Sequence, residues 1–323
     1  MAAGASVSIP CVTLNTGHAM PVMGFGTGSS GAPPDLPAII AGAVRLGHRH
    51  IDTASLYGTE GAVGVAVADA VAAGAVASRE DLFVTSKLHV TDAHPGRVVS
   101  ALQESLARLG LAYLDLFLIH WPVAAVATAA GDGGGGGKKL VPFDMEGVWR
   151  DMEECHRLGL ARSIGVSNFS AAKITRLLSF AAVPPAVNQV ELNVGWRQEK
   201  VREVCAKHGV VVAAFSPLGA SGSAWGSNAV MESGALRDVA ARRGKTVAQV
   251  ALRWLHEQGL CFVARSFNKE RLKQNMELFD WELSEEDKEL IMQIPQRRAC
   301  RGDWFVSPDG PYKSLEELWD GEI

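Results

Sequence analysis

The sequence lacks two features that would place a chain in a membrane or on nucleic acid. No stretch reaches the roughly 18 apolar residues that a membrane-spanning helix needs, and the opening MAAGASVSIP has no basic segment before an apolar one. Basic residues are not in excess, because 31 Lys and Arg stand against 35 Asp and Glu, a net charge of −4. We therefore expect a cytoplasmic protein without a membrane or nucleic-acid partner, which holds any anionic ligand at a local basic site.

Cysteine is also scarce, and its pattern does not match that of a cysteine-based site. The five cysteines are odd in number and lack the short paired spacings of metal or redox sites. They are Cys11, Cys155, Cys205, Cys261 and Cys300. Such scattered residues are typical of reduced thiols in a reducing compartment.

Short β-branched runs alternate with amphipathic segments along all 323 residues. This alternation is typical of repeated strand–helix units around a parallel sheet. The predicted strands are 22–25, 49–51, 82–85, 114–119, 161–166, 187–190, 210–214 and 261–264. The predicted helices are 35–46, 61–73, 95–109, 145–158, 171–180, 198–208 and 246–257. Eight strands with helices between them predict an α/β protein of one domain, residues 1–323, with a (β/α)₈ barrel fold.

Three segments do not fit the repeat. Residues 11–23, with a turn at Asn15, Thr16 and Gly17, predict a hairpin that caps the bottom of the barrel. Residues 123–142 include five consecutive glycines, 133–137, and indicate a long flexible loop after the fourth strand. The tail after Pro295 is rich in aromatic residues and either forms a wall of the barrel mouth or packs on the barrel.

Every predicted strand is followed by polar residues, and in parallel barrels this end of the strands carries the active site. The residues at these ends are Gly26 and Thr27, Asp52 and Thr53, Ser86 and Lys87, His120, Ser167 and Asn168, Gln189, Ser216, and Arg265 and Ser266. A single one would indicate helix capping. Eight in corresponding positions favour a shared site.

Titratable groups on three neighbouring strands surround a tyrosine in this arrangement. Tyr57 follows Asp52 by five residues, and its ordinary pKa of about 10 is too high for efficient proton transfer near neutrality. A nearby Lys87 ammonium, held charged by Asp52, would lower that pKa, and His120 would orient a substrate oxygen. An Asp–Lys ion pair beside an ordinary surface tyrosine explains the same residues, so both interpretations stay open at this point.

Six segments together resemble the aldo-keto reductases. They are GHRHIDTASLYGTE, LGLAYLDLFLIHWP, GLARSIGVSNF, NQVELN, AFSPLG and ARSFNKERLKQN. With the tail FVSPDGPYKSLEELWDGEI, they are most similar to the plant branch that contains chalcone, codeinone and deoxymugineic acid-forming reductases. The resemblance implies NADPH-dependent reduction of an aldehyde or ketone by hydride transfer, in plant metabolism.

The resemblance also assigns the site residues. It implies a catalytic tetrad of Asp52, Tyr57, Lys87 and His120, with Tyr57 as the proton donor. The cofactor residues it implies are Gly26, Thr27, Asp52, Ser167, Asn168, Gln189, Phe215, Ser216, Pro217, Leu218, Gly219, Arg265, Ser266, Phe267, Asn268, Arg271, Gln274 and Asn275. Phe215, Arg265 and Gln274 replace the usual tyrosine, lysine and glutamate. Arg265 still pairs with a phosphate, so NADPH is favoured over NADH.

Aromatic residues near the strand ends and in the tail predict the substrate pocket. The pocket residues are Phe25, His89, Trp121, Trp304 and Phe305, which suit a hydrophobic carbonyl compound. His89 stands where many relatives have tryptophan and makes that wall smaller and more polar. The resemblance implies a monomer.

Other classes fit less well. His48 and His50 form a His-x-His pair suited to zinc, but they fall at the start of the second strand, remote from the catalytic end of a barrel, so we expect no metal. No GxGxxG follows the first strand, and no tyrosine has a lysine four positions later. A cofactor-binding regulatory module of the same fold remains an alternative that turnover would exclude.

Overall fold

Eight parallel strands close into a barrel. The computed structural model describes residues 9–28, 31–128, 137–223 and 225–323. Within them the strands are β1 (Cys11–Thr13), β2 (Ala19–Pro21), β3 (Met23–Gly26), β4 (His50–Asp52), β5 (Phe83–Leu88), β6 (Leu114–Ile119), β7 (Ala124–Ala127), β8 (Lys138–Val141), β9 (Ala161–Ser167), β10 (Val187–Glu191), β11 (Val211–Phe215) and β12 (Cys261–Ala264). The barrel runs β3, β4, β5, β6, β9, β10, β11, β12 and closes on β3. The predicted (β/α)₈ barrel is confirmed.

Helices pack around the outside of this barrel. They are α1 (Leu36–Leu46), α2 (Glu60–Ala72), α3 (Val98–Leu109), α4 (Met145–Arg157), α5 (Ala171–Leu178), α6 (Glu199–Lys207), α7 (Gly234–Arg243), α8 (Val247–Glu257), α9 (Lys269–Met276), α10 (Glu285–Met292) and α11 (Leu315–Trp319). The apolar pattern does not predict α7, α9, α10 or α11, because few of their residues are buried. None of the described helices has the length and apolar character that crossing a membrane requires.

Alternation along the strands separates a face that lines the barrel from a face that packs on the helices. Gly26 is the register partner of Asp52, whose side chain points inward, whereas Phe25 pairs with Ile51 on the opposite face. Phe25 is fully buried, and its ring centroid lies 6.2 Å from that of His48. The prediction that Phe25 lines the substrate pocket is therefore wrong, since its side chain packs between the barrel and the helices.

Two hairpins sit at opposite ends of the barrel. The β1–β2 hairpin covers the bottom, where Thr16 bonds the Ser163 hydroxyl at 2.7 Å and Asn15 donates to the Pro185 carbonyl oxygen at 3.0 Å. At the other end, β7 and β8 pair antiparallel. The prediction of a loop throughout residues 123–142 is thus wrong at residues 124–127 and 138–141, which form β7 and β8. Of the predicted glycine run, residues 133–136 lie outside the described residues.

The chain tail covers part of the barrel mouth. After α10 it forms a single 3₁₀ turn, Asp303–Phe305, and the short helix α11. Tyr312 donates to the Pro122 carbonyl oxygen at 2.9 Å, directly after β6. The Arg298 guanidinium lies 3.6 Å from the centroid of a Trp319 ring. The tail therefore both packs on the barrel and contributes aromatic side chains at its mouth.

Candidate active site

Strands β4 and β5 bring Asp52 and Lys87 together inside the barrel mouth. The Lys87 ammonium donates to Asp52 Oδ1 at 2.5 Å and to the Thr53 carbonyl oxygen at 3.0 Å. The second carboxylate oxygen, Asp52 Oδ2, accepts from Gln189 Nε2 at 2.8 Å. Because the Lys87 and Asp52 side chains are only 1% and 4% exposed, either charge alone would be costly there. The two strands thus hold one cation in a fixed position.

Tyr57 and His120 complete the predicted tetrad around this ion pair. Tyr57 ends the 3₁₀ turn Ser55–Tyr57 that follows β4. Its hydroxyl oxygen lies 3.4 Å from His120 Nε2, and the two rings meet edge to face with centroids 5.6 Å apart. The Lys87 Nζ is 5.3 Å from the centroid of the Tyr57 ring. All four residues that the sequence predicts to be catalytic therefore lie in one cluster.

Burial sets the protonation states of this cluster. It raises the pKa of Tyr57 by more than the Lys87 ammonium lowers it, so the expected lowered pKa is wrong for this structure. Burial acts to lower the pKa of Lys87, but Asp52 and Tyr57 outweigh it and raise that pKa. Burial, with Lys87 and His89 nearby, lowers the pKa of His120 well below its usual value. At neutral pH, Tyr57 is thus a protonated phenol, Lys87 an ammonium and His120 a neutral imidazole.

Polar side chains beside the tetrad are suited to binding a primary amide. Asn168 follows β9 with φ of 62°, and its Nδ2 donates to the His120 carbonyl oxygen at 2.9 Å. The Ser167 hydroxyl donates to the Gln189 carbonyl oxygen at 2.7 Å. Asn168 Oδ1 is buried and accepts no hydrogen bond from the described residues. Since buried acceptors are normally bonded, this oxygen is suited to the amide of a nicotinamide ring.

Polar side chains gather where α9 begins. Asn268 caps the helix, because its Oδ1 accepts from the Arg271 backbone N–H at 3.0 Å. Arg271 Nε lies 3.4 Å from the Ser266 hydroxyl, and Arg265 reaches across to the Gly28 carbonyl oxygen at 2.9 Å. Arg265 and Arg271 are both exposed. Two cations beside a helix N-terminus form a site suited to a phosphate group.

Further cofactor residues predicted from the sequence lie along the same side of the barrel. Gly26 ends β3, where an added Cβ would meet a β12 side chain at 2.9 Å, and the neighbouring Thr27 is fully buried. Phe267 and Gln274 are half-buried, and Asn275 is buried. These positions follow the barrel edge from β3 to α9.

A loop after β11 supplies the aromatic face at the mouth. Phe215 ends β11, and its half-buried ring meets Trp225 edge-on at 6.2 Å between centroids. The predicted loop residues that follow it are Ser216, Pro217, Leu218 and Gly219. Ser216 and Gly219 have positive φ values of 51° and 85°, which turn the chain back sharply. The backbone of this loop thus folds back beside the barrel mouth.

The other four residues predicted for the substrate pocket are at the mouth but differ in exposure. Trp121 and Phe305 are nearly buried, with ring centroids 4.9 Å apart, and both contact Trp304. Trp304 is 52% exposed. His89 is half-buried and follows β5, the strand next to β6, after which Trp121 lies. The mouth therefore has an aromatic wall from the tail and a more polar wall beside β5.

At this site the sequence did not predict Gly28 or Lys138, nor the role of the Thr53 carbonyl oxygen. An added Cβ at Gly28 would lie 3.0 Å from two ring atoms of Tyr57, so the glycine lets that ring approach the backbone. The Thr53 carbonyl oxygen binds Lys87, and Lys138 approaches His89 at 3.2 Å. The position of Gly28 beside the first strand was a usable signal. The Thr53 carbonyl oxygen is a backbone acceptor, and Lys138 and His89 are 49 positions apart, so neither contact leaves a pattern in the sequence.

The possible zinc ligands do not converge. His50 Nε2 bonds the Thr85 hydroxyl at 3.0 Å inside the barrel, while His48 packs against Phe25 outside it. Within the described residues, no three His, Cys, Asp or Glu side chains are grouped as a metal site would require. The two histidines therefore have separate surroundings, His50 inside the barrel and His48 outside it.

Comparisons with known proteins agree with this geometry. A model of the aldo/keto reductase family matches residues 22–295. Deoxymugineic acid synthase 1 from Hordeum vulgare is 53% identical over 94% of this chain and 97% of its own length. Protein REDOX 2 from Catharanthus roseus is 50% identical over 98% and 99%. An aldo-keto reductase from Bombyx mori, solved in complex with NADP, has a TM-score of 0.84 at 38% identity, covering 94% of this chain and 98% of that one.

Proposed function

This chain belongs to the aldo/keto reductase family and reduces an aldehyde or ketone to an alcohol with NADPH, and we propose that Tyr57 is its proton donor. The observation that carries this role is the position of the Tyr57 hydroxyl, 3.4 Å from His120 Nε2. The Lys87 ammonium lies beside the same ring and is held by Asp52 at 2.5 Å. A phenol between a neutral imidazole and a fixed cation is arranged to give up its proton.

In the proposed mechanism each tetrad residue has one task. Tyr57 carries a proton at neutral pH and donates it to the carbonyl oxygen as the alcohol forms. The Lys87 ammonium stabilises the phenolate left behind, and Asp52 keeps that ammonium charged. His120, neutral because burial lowers its pKa, orients the carbonyl oxygen through Nε2. NADPH, when bound, would supply the hydride that the carbonyl carbon receives.

Residues of three strand ends and one helix are proposed to hold the cofactor. Ser167, Asn168 and Gln189 would hold the nicotinamide amide, and the Phe215 ring offers an aromatic surface for the nicotinamide ring. The backbone of residues 216–219 and the edge formed by Gly26 and Thr27 would hold the rest of the dinucleotide. The residues proposed for the adenosine 2′-phosphate and adenine are Arg265, Ser266, Phe267, Asn268, Arg271, Gln274 and Asn275.

The substrate is proposed to bind between the two walls of the mouth. His89, Trp121, Trp304 and Phe305 form these walls, which suit a carbonyl compound with an apolar body. We also propose that the chain acts as one domain, as a monomer, in the cytoplasm. All five cysteines are free and four are buried, which supports a reducing compartment.

Replacing Tyr57 by Phe tests the proton donor. We expect NADPH oxidation with a panel of aldehydes to fall about 10³-fold in kcat, the usual range for losing a general acid, while NADPH still quenches protein fluorescence on binding. Tyr113→Phe is the matched control, because the half-buried Tyr113 ring packs between Arg79 and Arg162 just before β6, at the end of that strand remote from the tetrad. Full activity of Tyr57→Phe would remove its assigned role. NADPH binding without turnover by the unmodified protein would favour a regulatory module.

A further inference from the structure

The chain tail is held at the barrel by one buried carboxylate. Glu191 ends β10 and is 1% exposed. Gln189 points into the barrel, where it bonds Asp52, and alternation directs Glu191, two residues later, to the same inner side. Glu191 Oε2 accepts from the Cys300 backbone N–H at 2.8 Å, and both carboxylate oxygens accept from the Ala299 N–H, at 3.1 and 3.2 Å. The end of β10 therefore holds the tail backbone just before its aromatic residues.

The residues held in this way directly precede contacts to the aromatic rings of the mouth. The Cys300 side chain packs in one buried cluster with Trp121 and Trp319. The carbonyl oxygen of the next residue, Arg301, accepts from Trp319 Nε1 at 2.6 Å. An added Cβ at Gly302 would lie 3.3 Å from a ring atom of Trp121, so the backbone there lies against that ring. A displacement of this backbone would therefore move the rings that line the mouth.

A buried cation lies next to the held residues in the chain. Arg298 is 5% exposed, and its guanidinium lies 3.6 Å from the centroid of a Trp319 ring and 4.8 Å from that of a Trp196 ring. Its Nη2 donates to the Glu322 carbonyl oxygen at 2.8 Å. Burial lowers the pKa of Arg298 to about 10, with Glu191 the strongest of the groups that oppose this shift, so the guanidinium is charged at neutral pH. Since an isolated buried charge is costly, each of these two groups stabilises the other.

We propose that Glu191 is a positioning residue for substrate selection, which places the tail so that its aromatic side chains form a wall of the pocket. These side chains are Trp304, Phe305 and Trp319. The proposal rests on the proposed function, since the carbonyl compound is proposed to bind at this wall. Glu191 acts through the backbone of residues 299–300 and takes no part in the proton transfer. A bulky carbonyl compound, which reaches the wall, therefore depends on Glu191 more than a small one.

A second glutamate makes the same kind of contact away from the mouth. Glu153 Oε1 accepts from the consecutive backbone N–H groups of Ala182 and Val183, at 2.7 and 2.9 Å. These two residues precede β10, at the end of that strand remote from the tetrad. The Val183 carbonyl oxygen accepts from Trp149 Nε1 at 3.1 Å, so this segment also contacts a tryptophan. Glu153 therefore offers a matched control.

Substrate selectivity is the first test of the proposal. It compares kcat/KM for the bulkiest aromatic and the smallest aliphatic carbonyl compound that the unmodified protein reduces with NADPH. In Glu191→Met, which removes both acceptor oxygens, we expect the bulky-to-small ratio to fall about tenfold, mainly through KM. In Glu191→Gln, which keeps one acceptor oxygen, we expect a fall of about threefold, and this variant decides the test if Glu191→Met does not fold. In both variants kcat for the small compound and the dissociation constant of NADPH should stay within about twofold.

The ¹⁹F spectrum of protein labelled with fluorinated tryptophan gives a second readout that needs no turnover. Single Trp→Phe variants assign the resonances of the eight tryptophans. Both Glu191 variants should shift the Trp121 and Trp319 resonances and leave that of Trp149 in place. Glu153→Met should shift the Trp149 resonance alone and leave the bulky-to-small ratio unchanged.

Two kinds of failure are distinguishable in these measurements. An unchanged ratio in a folded Glu191 variant, an equal fall in Glu153→Met, or unshifted Trp121 and Trp319 resonances would each overturn the positioning role. Failure of the unmodified protein to reduce any aldehyde or ketone would instead contradict the proposed function. The ¹⁹F spectra would then still show whether Glu191 places the aromatic rings.

Discussion

Two buried lysines of this chain pair with aspartates at nearly the same distance, yet their surroundings differ. Lys87 lies 2.5 Å from Asp52, and the two side chains are 1% and 4% exposed. Lys173 lies 2.6 Å from Asp320, with side chains 8% and 32% exposed. The first pair joins two barrel strands below the mouth. The second joins the start of α5 to the last residues of the chain.

The pKa values of the two ammonium groups move in opposite directions. Burial opposes charge on both, but Asp52 and Tyr57 together overcome it and raise the pKa of Lys87. At Lys173, burial outweighs the more exposed Asp320 and lowers the pKa. An equal distance thus does not imply an equal electrostatic role, because the number and burial of the surrounding partners decide which effect is larger.

Removing the Lys87 ammonium should have the largest effect on kcat. In Lys87→Met, kcat should fall about 10³-fold because the Tyr57 phenolate loses the charge that stabilises it. Single-turnover oxidation of NADPH measures this step directly. The variant also leaves Asp52 buried without its partner, which costs about 3–5 kcal/mol in comparable pairs.

The double variant Asp52→Asn/Lys87→Met separates chemistry from folding. It removes both charges, so the melting temperature should recover towards that of the unmodified protein while kcat stays low. A loss of less than tenfold in a folded Lys87 variant would show that the ammonium does not tune Tyr57. Recovery of kcat in the double variant would lead to the same conclusion.

The sequence could predict this part of the site because strands constrain it. Asp52 and Lys87 lie on adjacent parallel strands, and alternation directs both into the barrel. The same rule explains the error at Phe25, since a shift of one residue in a strand moves a side chain to the other face. The direction of the Tyr57 pKa was not predictable, because it depends on how deeply the packed ring is buried. Local sequence spacing does not contain that information.

Breaking the second pair should give a smaller and different effect. Lys173→Met removes the ion pair to Asp320 and a hydrogen bond to the Leu318 carbonyl oxygen at 2.7 Å. Because Asp320 is partly exposed, we expect the free energy of unfolding to fall by only about 1 kcal/mol, and the melting temperature by roughly 2 °C. The loosened tail carries Trp319 against Trp121, so KM for the carbonyl should rise about threefold with kcat unchanged.

Lys313→Met is the control for the tail pair. Lys313 is exposed and donates to a backbone carbonyl oxygen instead of a carboxylate. It should change neither the melting temperature nor KM. A fall in kcat in Lys173→Met comparable with that in Lys87→Met would remove the functional distinction between the two pairs.

The regions built by the tail and the β7–β8 hairpin were harder to predict than the tetrad. Lys138 meets His89 across 49 positions of sequence, and Lys173 meets Asp320 across 147. These contacts depend on how irregular segments fold over the mouth, and no periodic pattern encodes that path. The proposed chemistry thus depends on residues at strand ends, whereas the proposed substrate selectivity depends on the segments around them.

The smallest expected effect is a difference in alkaline titration between the two lysines. The lowered pKa of Lys173 means that the folded protein releases this proton before the unfolded chain does, so stability rises with pH in the interval just below about 10.5. The raised pKa of Lys87 has the opposite sign: its contribution is complete below about 10.5 and is lost as pH rises through the higher folded value. The ¹³Cε resonances of labelled lysines, assigned with the two methionine variants, should therefore titrate first at Lys173 and last at Lys87. If Lys173 titrated together with exposed lysines, burial would not outweigh Asp320, and the contrast between the pairs would be limited to catalysis.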